Sequence, residues 1–358
     1  MQQLEAFYES TPKAVGFVER KIEIPSHTLN LYGPPKTGKT WLVLDYLSRL
    51  PRKKRLYIDL RDLRIDNESL GRELQAFIDV HGIESVVLDH YDGSIAMPQC
   101  RQTILVSEAP FTENRFMPLL EVPPLDFEEY LAFEKRHIHL EHSFSLYLRT
   151  GSLPIMATVH ESLLTIKLHE QIRSIFPTET ERLLFRQMAR FLGKPVTANQ
   201  LYTTIKKEHK ISKDWLYRTL KSWEERQIIL WMEKFGQPRA AKRLLIYDFA
   251  IPASLYFEKS LMGQLYSIAS IRLLQHNPRT TFTDKIDFFL PDSRHALLLS
   301  PFANPQSTAT KIAKLVDEID RLQIRNITIL TIANSFEFMF EEIQVVAKPF
   351  YTWILEEE

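Results

Sequence analysis

Residues 33–40 read Gly33-Pro34-Pro35-Lys36-Thr37-Gly38-Lys39-Thr40, which is the phosphate-binding pattern G-x-x-x-x-G-K-T. An alternating, strand-like segment at residues 28–32 precedes this stretch, and a helix-compatible run at 41–47 follows it. In that context the loop wraps phosphates with backbone N–H groups and aims them at the positive end of the helix. The sequence therefore predicts a P-loop, although the glycines could also serve a merely structural turn.

The residue types of this loop predict which ligands it would hold. Lys39 would reach the β- and γ-phosphates of ATP, and the Thr40 hydroxyl would complete the shell of a Mg²⁺ ion between them. A Cβ at Gly33 or Gly38 would block the close turn around the phosphate. All eight residues are accordingly predicted to form a cofactor site for ATP and Mg²⁺.

A second motif downstream supplies the other expected metal ligand. The run Ser85-Val86-Val87-Leu88-Asp89 is apolar and ends in an acid, which is the Walker B pattern. A carboxylate at the carboxyl end of a buried strand orients Mg²⁺ and its water. Asp89 therefore joins Thr40 as a predicted metal ligand and is also a candidate catalytic residue.

The residue after Asp89 is His90, where many P-loop ATPases place a Glu that polarises the attacking water. A histidine can act as a general base. The alternative is a site that binds ATP and hydrolyses it slowly or not at all. Asp92 is a further catalytic candidate. The sequence leaves these possibilities open.

Composition sets broad limits. The chain has 358 residues, 44% of them hydrophobic and 25% charged, which is ordinary for a soluble protein of two or three domains. The lone Cys100 excludes an internal disulfide and a cysteine-based zinc site. No segment reads as a signal peptide or a membrane span. We therefore expect a cytoplasmic protein without a membrane partner.

Positive charge is concentrated in one segment. Residues 179–243 hold 15 Lys and Arg against 7 Asp and Glu, whereas the whole chain has a net charge of zero. The pattern there predicts helices at 179–192, 197–208 and 211–226 and a hairpin at 228–234 and 243–247, which is a winged helix-turn-helix. The alternatives are contact with double-stranded DNA or with protein only. The predicted phosphate contacts are Lys213, Tyr217, Arg218 and Lys221 on the third helix and Arg239, Lys242 and Arg243 on the wing.

The order of these motifs resembles a family of bacterial and archaeal AAA+ ATPases. Beyond the P-loop and the Val-Val-Leu-Asp run, the resemblance rests on Ile-Leu-Val-Ser at 104–107, on L-L-E-V-P-P-L-D-F-E-E-Y-L at 119–131 and on Y-L-R-T-G-S-L-P at 147–154. It implies an α/β fold with an AAA+-like parallel sheet, whose fifth strand would lie at 121–125. A helical lid, a winged helix and a C-terminal domain similar to restriction endonucleases would follow. The implied domains are residues 1–126, 127–177, 178–250 and 251–358.

The resemblance also implies roles for single residues. Ser107 would be the sensor that reads the γ-phosphate, and Arg115 is either an arginine finger for a neighbouring subunit of a homo-oligomer or a surface arginine without a role. In the C-terminal domain Asp287 lies where the first metal-binding acid of the nucleases belongs. The next strand, residues 297–302, contains no acid and no lysine, so we expect an inactive version of the nuclease.

Two departures from the family, His90 and the absence of a Gly-Arg pair before the fifth strand, bear on hydrolysis more than on binding. The sequence predicts an ATP-binding protein that is a slow ATPase and couples its nucleotide state to DNA or a partner. The alternatives are a nucleotide sensor without turnover that acts as an interaction scaffold, and a DNA nuclease.

Overall fold

The computed structural model describes residues 2–10, 12, 16, 18–112, 116–134, 139–257 and 260–356. Arg115 lies outside these described residues. The chain forms two compact units. The first comprises Met1–Phe133, Leu153–Ile155 and Ser222–Ile228, and the second comprises Glu134–Ser152, Met156–Lys221 and Ile229–Glu358. Within the described part of the chain, no helix is both long enough and apolar enough to cross a membrane.

The elements from the N-terminus to residue 133 belong to the first unit. In chain order they are α1 Gln2–Glu9, β1 Leu29–Tyr32, α2 Lys39–Ser48, β2 Arg55–Asp59, α3 Asn67–His81, β3 Ser85–Asp89, β4 Gln102–Val106, β5 Leu119–Glu121 and α4 Phe127–Phe133. The five strands form a parallel sheet in the order β2-β3-β4-β1-β5. The P-loop therefore follows an inner strand, β1, and Asp89 ends β3, which is separated from β1 by β4.

Side-chain alternation along the strands gives this sheet two apolar faces. Leu56 and Leu88 pack with α3 on one face, whereas Tyr57 and Val87 pack with α2 on the other. Strands buried on both faces read as continuous apolar runs, which is why β3 was recognisable in the sequence. The predicted fold class, an α/β fold with a parallel sheet built around the P-loop, is confirmed.

The fifth strand lies earlier than the sequence pattern predicts. It was expected at residues 121–125, but β5 pairs with β1 over Leu119–Glu121. The reason is the pair Pro123-Pro124, since proline has no N–H to donate to a neighbouring strand. The Val122 N–H still donates to the Tyr32 carbonyl oxygen of β1, and the chain leaves the sheet from Pro123 onwards.

The remaining elements follow one another along the chain. They are α5 Leu140–Thr150, α6 Pro154–Ala157, α7 Leu164–Ile175, α8 Glu179–Ala189, β6 Pro195–Val196, α9 Ala198–Lys206, α10 Lys213–Glu225, β7 Ile229–Lys234, β8 Lys242–Ile246, α11 Ala250–Ala253, α12 Leu261–His276, β9 Thr281–Phe282, β10 Phe288–Leu290, β11 His295–Leu299, α13 Pro305–Ala313, α14 Val316–Leu322, β12 Asn326–Thr331, β13 Phe336–Phe340, β14 Ile343–Pro349 and α15 Phe350–Trp353.

The segment expected to be a winged helix has helices and strands in the order α8-β6-α9-α10-β7-β8. Capping boxes begin α8 at Thr178 and α9 at Thr197, and β8 pairs antiparallel with both β6 and β7. Strand β7 also pairs with β9, so that these strands belong to a nine-stranded sheet in the order β13-β14-β12-β11-β10-β9-β7-β8-β6. The expected boundary at residue 250 thus separates two segments that share a sheet, and the four-domain division remains a prediction.

The C-terminal part of that sheet is a parallel core, β11-β12-β14, with antiparallel strands on both sides. Two helices, α13 and α14, connect β11 to β12. Asp287 precedes β10, and its Oδ2 accepts a hydrogen bond from the Leu299 backbone N–H at 2.9 Å. Its carboxylate therefore helps to hold β11 in place.

Candidate functional site

The P-loop joins β1 to α2 through two glycines with positive φ. Gly33 has a φ of 148°, and a Cβ there would lie 2.4 Å from the Val122 carbonyl oxygen. Gly38 has a φ of 91° immediately before α2. We expected these glycines because a close turn leaves no room for a side chain. At Gly33 the group that would clash with a side chain is the Val122 carbonyl, directly after β5.

Lys39 is almost fully buried at the start of α2. Its Nζ donates hydrogen bonds to the carbonyl oxygens of Gly33 and Pro34, each at 2.7 Å. Burial lowers the pKa of this ammonium to about 8, although the carboxylates of Glu108 and Asp89 favour its charged form. Phosphate oxygens would therefore compete with two loop carbonyls for the same protons.

The Asp89 carboxylate is 1% exposed and accepts hydrogen bonds on both oxygens. Oδ2 accepts from Thr40 Oγ1 at 2.7 Å and from the Tyr57 hydroxyl at 2.8 Å, and Oδ1 accepts from the His90 backbone N–H at 2.9 Å. Burial and the charge of Asp89 raise the pKa of Tyr57, so the phenol remains a donor. Sequence reasoning missed Tyr57; its only signal was its place in β2, two residues before Asp59.

These two oxygens fit the ion that the sequence predicts. Thr40 Oγ1 and Asp89 Oδ2 are close enough to share one cation, and they come from the two motifs expected to hold Mg²⁺. Magnesium usually takes one or two protein ligands and fills its octahedron with water and phosphate oxygens. No cluster of three His, Cys, Asp or Glu side chains arranged for a metal occurs in the part of the chain that the structure describes.

His90 has left-handed backbone geometry, with a φ of 57°. Its Nδ1 lies 2.7 Å from Asp59 Oδ1, and Asp59 is the residue that pairs with Asp89 across β2 and β3. In the tautomer with the proton on Nδ1, the carboxylate orients the ring and Nε2 is left as an acceptor. Asp59 was not singled out in the sequence.

The other catalytic candidate, Asp92, lies in an exposed turn. Its Oδ1 accepts from the Ser94 backbone N–H at 2.9 Å, and the hydrogen bonds from Ser94 hold its pKa below the usual value. The structure therefore places the His90 ring against Asp59, next to Asp89, whereas the Asp92 carboxylate stabilises a turn with Ser94. The catalytic roles of all three remain predictions.

Ser107 follows β4 and is buried. Its hydroxyl donates to the Ala109 carbonyl oxygen at 2.6 Å and accepts from Asn30 Nδ2 at 2.9 Å. Asn30 lies in β1, and its Oδ1 accepts from the Phe111 N–H at 2.8 Å. Ser107 thus secures the loop after β4 against the P-loop strand, and its role as a phosphate sensor remains a prediction.

A buried ion pair that the sequence did not reveal holds the P-loop from another side. Arg20 and Glu129 have side chains 3% and 6% exposed, with Nε to Oε1 at 2.6 Å and Nη2 to Oε2 at 3.0 Å. Arg20 also donates to the carbonyl oxygens of Thr37, at 2.8 Å, and Pro123, at 3.0 Å. The only signal for Glu129 was its place in the F-E-E-Y motif after β5.

The cations expected to contact DNA differ in their surroundings. Lys213, Tyr217, Arg218 and Lys221 are exposed on α10, and Arg239 is exposed between β7 and β8. The Lys213 ammonium lies 5.9 Å from the Tyr217 ring centre.

The two cations of β8 that were expected to contact DNA, Lys242 and Arg243, have partners within the protein. Lys242 is paired with Glu233 at 2.5 Å. The Arg243 guanidinium lies 4.7 Å from the Tyr266 ring centre and 4.1 Å from that of Phe282, and it donates to the Asp287 carbonyl oxygen. Burial lowers the pKa of Arg243 to about 10. The Arg243 side chain thus packs against two aromatic rings, and its expected contact with a phosphate remains a prediction.

No family model matches the chain, and no curated protein is similar to it in sequence. Among solved structures it is similar to the Orc1 protein of Aeropyrum pernix in complex with DNA, at 11% identity and a TM-score of 0.33, over 77% of this chain and 93% of that one. It is also similar to a STAND protein with a tetratricopeptide repeat sensor from Pyrococcus horikoshii, at 16% identity and a TM-score of 0.34, over 88% of this chain and 52% of that one. At these scores neither likeness carries an argument about function.

The buried pair yields a test of how the P-loop is held. Replacing Arg20 with Gln leaves the Glu129 carboxylate buried without its partner, which costs about 3–5 kcal/mol of unfolding free energy. The matched control is Lys21→Gln, which removes an exposed ion pair with Asp126 and Glu128 at the neighbouring residue. Exposed pairs contribute about 0–1 kcal/mol. Urea unfolding followed by circular dichroism measures both variants, and equal losses would contradict the assigned role of Arg20.

Proposed function

We propose that this protein binds ATP with Mg²⁺, hydrolyses it slowly, and couples its nucleotide state to the binding of double-stranded DNA. One observation carries the proposal: Lys39, Thr40 and Asp89, from two separate motifs, converge at the carboxyl edge of a parallel sheet. Ligands bind at this edge in open α/β sheets. The Lys39 ammonium would bind the β- and γ-phosphates, and the hydroxyl and carboxylate would hold the ion.

Slow hydrolysis rests on the group beside Asp89. The His90 imidazole is held by Asp59, so its Nε2 is available as a proton acceptor, but an imidazole replaces the carboxylate that fast P-loop ATPases use there. A nucleotide sensor without turnover, acting as a scaffold, is the alternative. The two are separated by measuring phosphate release together with bound nucleotide.

DNA binding rests on the exposed cations of the helix α10 and the β7–β8 turn. Lys213 and Arg218 are exposed on α10, and Arg239 is exposed in the β7–β8 turn. Exposed cations on a helix and an adjacent turn can contact the phosphates of a duplex. Docking of a protein partner is the competing use of this segment. A homo-oligomer and a cytoplasmic location remain expectations from the sequence, and no observation favours the nuclease alternative, since Asp287 is engaged with the backbone of β11.

The nucleotide site is tested by replacing Lys39 with Ala. ATP at 100 times its dissociation constant stabilises a protein that binds it only when folded by about 2.7 kcal/mol, which raises the melting temperature. The variant should lose most of that rise, because it lacks the ammonium that meets the phosphates. The control is Lys53→Ala, which removes an exposed cation before β2, at the opposite edge of the sheet. An ATP-induced rise that survives in the Lys39 variant would move the phosphate site elsewhere.

Hydrolysis is tested at His90. Replacing it with Glu should raise turnover about tenfold or more, because a carboxylate restores the usual polarising group and general-base catalysis contributes about 10²–10⁴-fold. Phosphate release at saturating ATP measures this, and unchanged ATP affinity shows that binding is intact. The opposite assignment, in which the histidine is the general base, predicts that His90→Ala abolishes a substantial activity and that His90→Glu does not raise it.

DNA binding is tested by salt-dependent anisotropy titration with a duplex. With about six phosphate contacts, the affinity should fall roughly a thousandfold between 50 and 200 mM salt. Lys213→Ala and Arg239→Ala should each lower the magnitude of the salt slope by about one unit for all sequences alike. Lys314→Ala, at an exposed position after α13, is the control. No binding below about 100 μM at 50 mM salt would rule out DNA and leave protein docking.

A further inference from the structure

Glu108 follows Ser107 at the carboxyl edge of the sheet and lies between two arginines. Its Oε2 is 2.6 Å from both Nε and Nη2 of Arg226, and its Oε1 is 3.4 Å from Nη2 of Arg61. The side chains of Glu108 and Arg226 are 21% and 26% exposed, whereas that of Arg61 is 64% exposed. The Glu108–Arg226 pair is therefore the better-formed contact, and Arg61 supports it from the solvent side.

Arg226 is held in place by the end of its helix. The Gln227 N–H donates to the Glu224 carbonyl oxygen and the Ile228 N–H to that of Trp223, with Gln227 at a φ of 54°, which is the Schellman ending of a helix. The Trp223 side chain is fully buried in the same compact unit as the P-loop. Arg226 thus projects from a rigid base, and its side chain is the part that can exchange partners.

The same charges act on the P-loop lysine. Glu108 favours the charged form of Lys39, and Arg61 and Arg226 disfavour it. Burial would raise the pKa of Glu108, but Arg226, Lys39 and Arg61 together hold it below its usual value. The carboxylate is therefore ionised beside the ammonium that would meet the β- and γ-phosphates.

We infer that Arg226 distinguishes nucleoside triphosphate from diphosphate, by leaving Glu108 for the terminal phosphate. The inference rests on the proposed function, since it assigns a second phosphate ligand to the same nucleotide site. Two nitrogens of the Arg226 guanidinium contact one carboxylate oxygen, Oε2. A guanidinium binds phosphate oxygens as well as carboxylate oxygens, so an oxygen of the terminal phosphate can replace Oε2 directly. A diphosphate lacks that group and leaves the Glu108–Arg226 pair intact. Arg226 directly follows α10, the helix that carries Lys213 and Arg218. The exchange would therefore break the ion pair that links the end of that helix to Glu108.

The experiment compares the dissociation constants of Mg²⁺–ATPγS and Mg²⁺–ADP in the full chain. In Arg226→Gln the ATPγS affinity should fall about tenfold or more, with the ADP affinity within about twofold of wild type, because only the triphosphate uses the guanidinium. In Glu108→Gln the ATPγS affinity should rise more than the ADP affinity, because the competing carboxylate is gone and the arginine is released.

The matched control is Glu84→Gln. Glu84 also lies between two cations, Lys54 and Arg101, each at 3.2 Å, but it precedes β3 at the opposite edge of the sheet. This variant should leave the ratio of the two affinities unchanged.

Three outcomes would overturn the inference. If Arg226→Gln weakens both nucleotides equally, or neither, while the wild type binds them, the ion pair only ties the end of α10 to the loop after β4. If Glu108→Gln lowers the triphosphate preference, the carboxylate assists binding and does not compete with it. If the wild-type chain binds neither nucleotide, the proposed function itself fails and this inference fails with it.

Discussion

The buried carboxylate of Asp89 is the constraint on which the first unit depends. A charge that is 1% exposed is stable only if hydrogen bonds replace the water it has lost. Thr40, Tyr57 and the His90 N–H supply them from the first turn of α2, from β2 and from the residue after β3. One side chain therefore ties β2 and the first turn of the P-loop helix to the end of β3. The same demand explains the left-handed His90, whose N–H turns back to the preceding carboxylate.

The Arg20–Glu129 pair plays a complementary role. Its guanidinium binds the carbonyl oxygens of Thr37 and Pro123, so it joins the P-loop to the segment that leaves β5. Lys39 binds two further loop carbonyls from inside. Among these carbonyl groups, only that of Thr37 shares its peptide with an N–H, that of Gly38, because Gly33, Pro34 and Pro123 each precede a proline. Backbone N–H groups are what an anion requires, so the contact between Arg20 and Thr37 holds a peptide that could donate one. The two buried cations thus shape the loop before any phosphate reaches it.

Sequence patterns predicted those parts of the structure that depend on residues close together in the chain. The P-loop, α2 and β3 were legible because strand, glycine and helix signals lie within a few residues of each other. The fifth strand was misplaced because an apolar stretch was given more weight than Pro123-Pro124. Tyr57, Arg20 and Glu108 could not be found in this way. Each acts through a partner far away in the chain, and nothing in a tyrosine, arginine or glutamate marks which contact tertiary packing will select. The aromatic contacts of Arg243 were hidden for a related reason, since Tyr266 and Phe282 lie far from it in the chain.

The cations that the site would offer to a nucleotide already have oxygen partners. Lys39 is bound to two carbonyls, and Arg226 and Arg61 share the Glu108 carboxylate. The proposed nucleotide binding would therefore be an exchange of partners, and its free energy would be the difference between the new contacts and those given up. An anion that replaces only some of these contacts would gain little binding free energy, because every contact it forms must first displace an existing one. Discrimination then depends on how many partners a ligand can replace at once. Under the proposed function, a triphosphate with its metal ion would engage Lys39, Thr40, Asp89 and Arg226 together, whereas a shorter anion would leave some of these residues with their present partners.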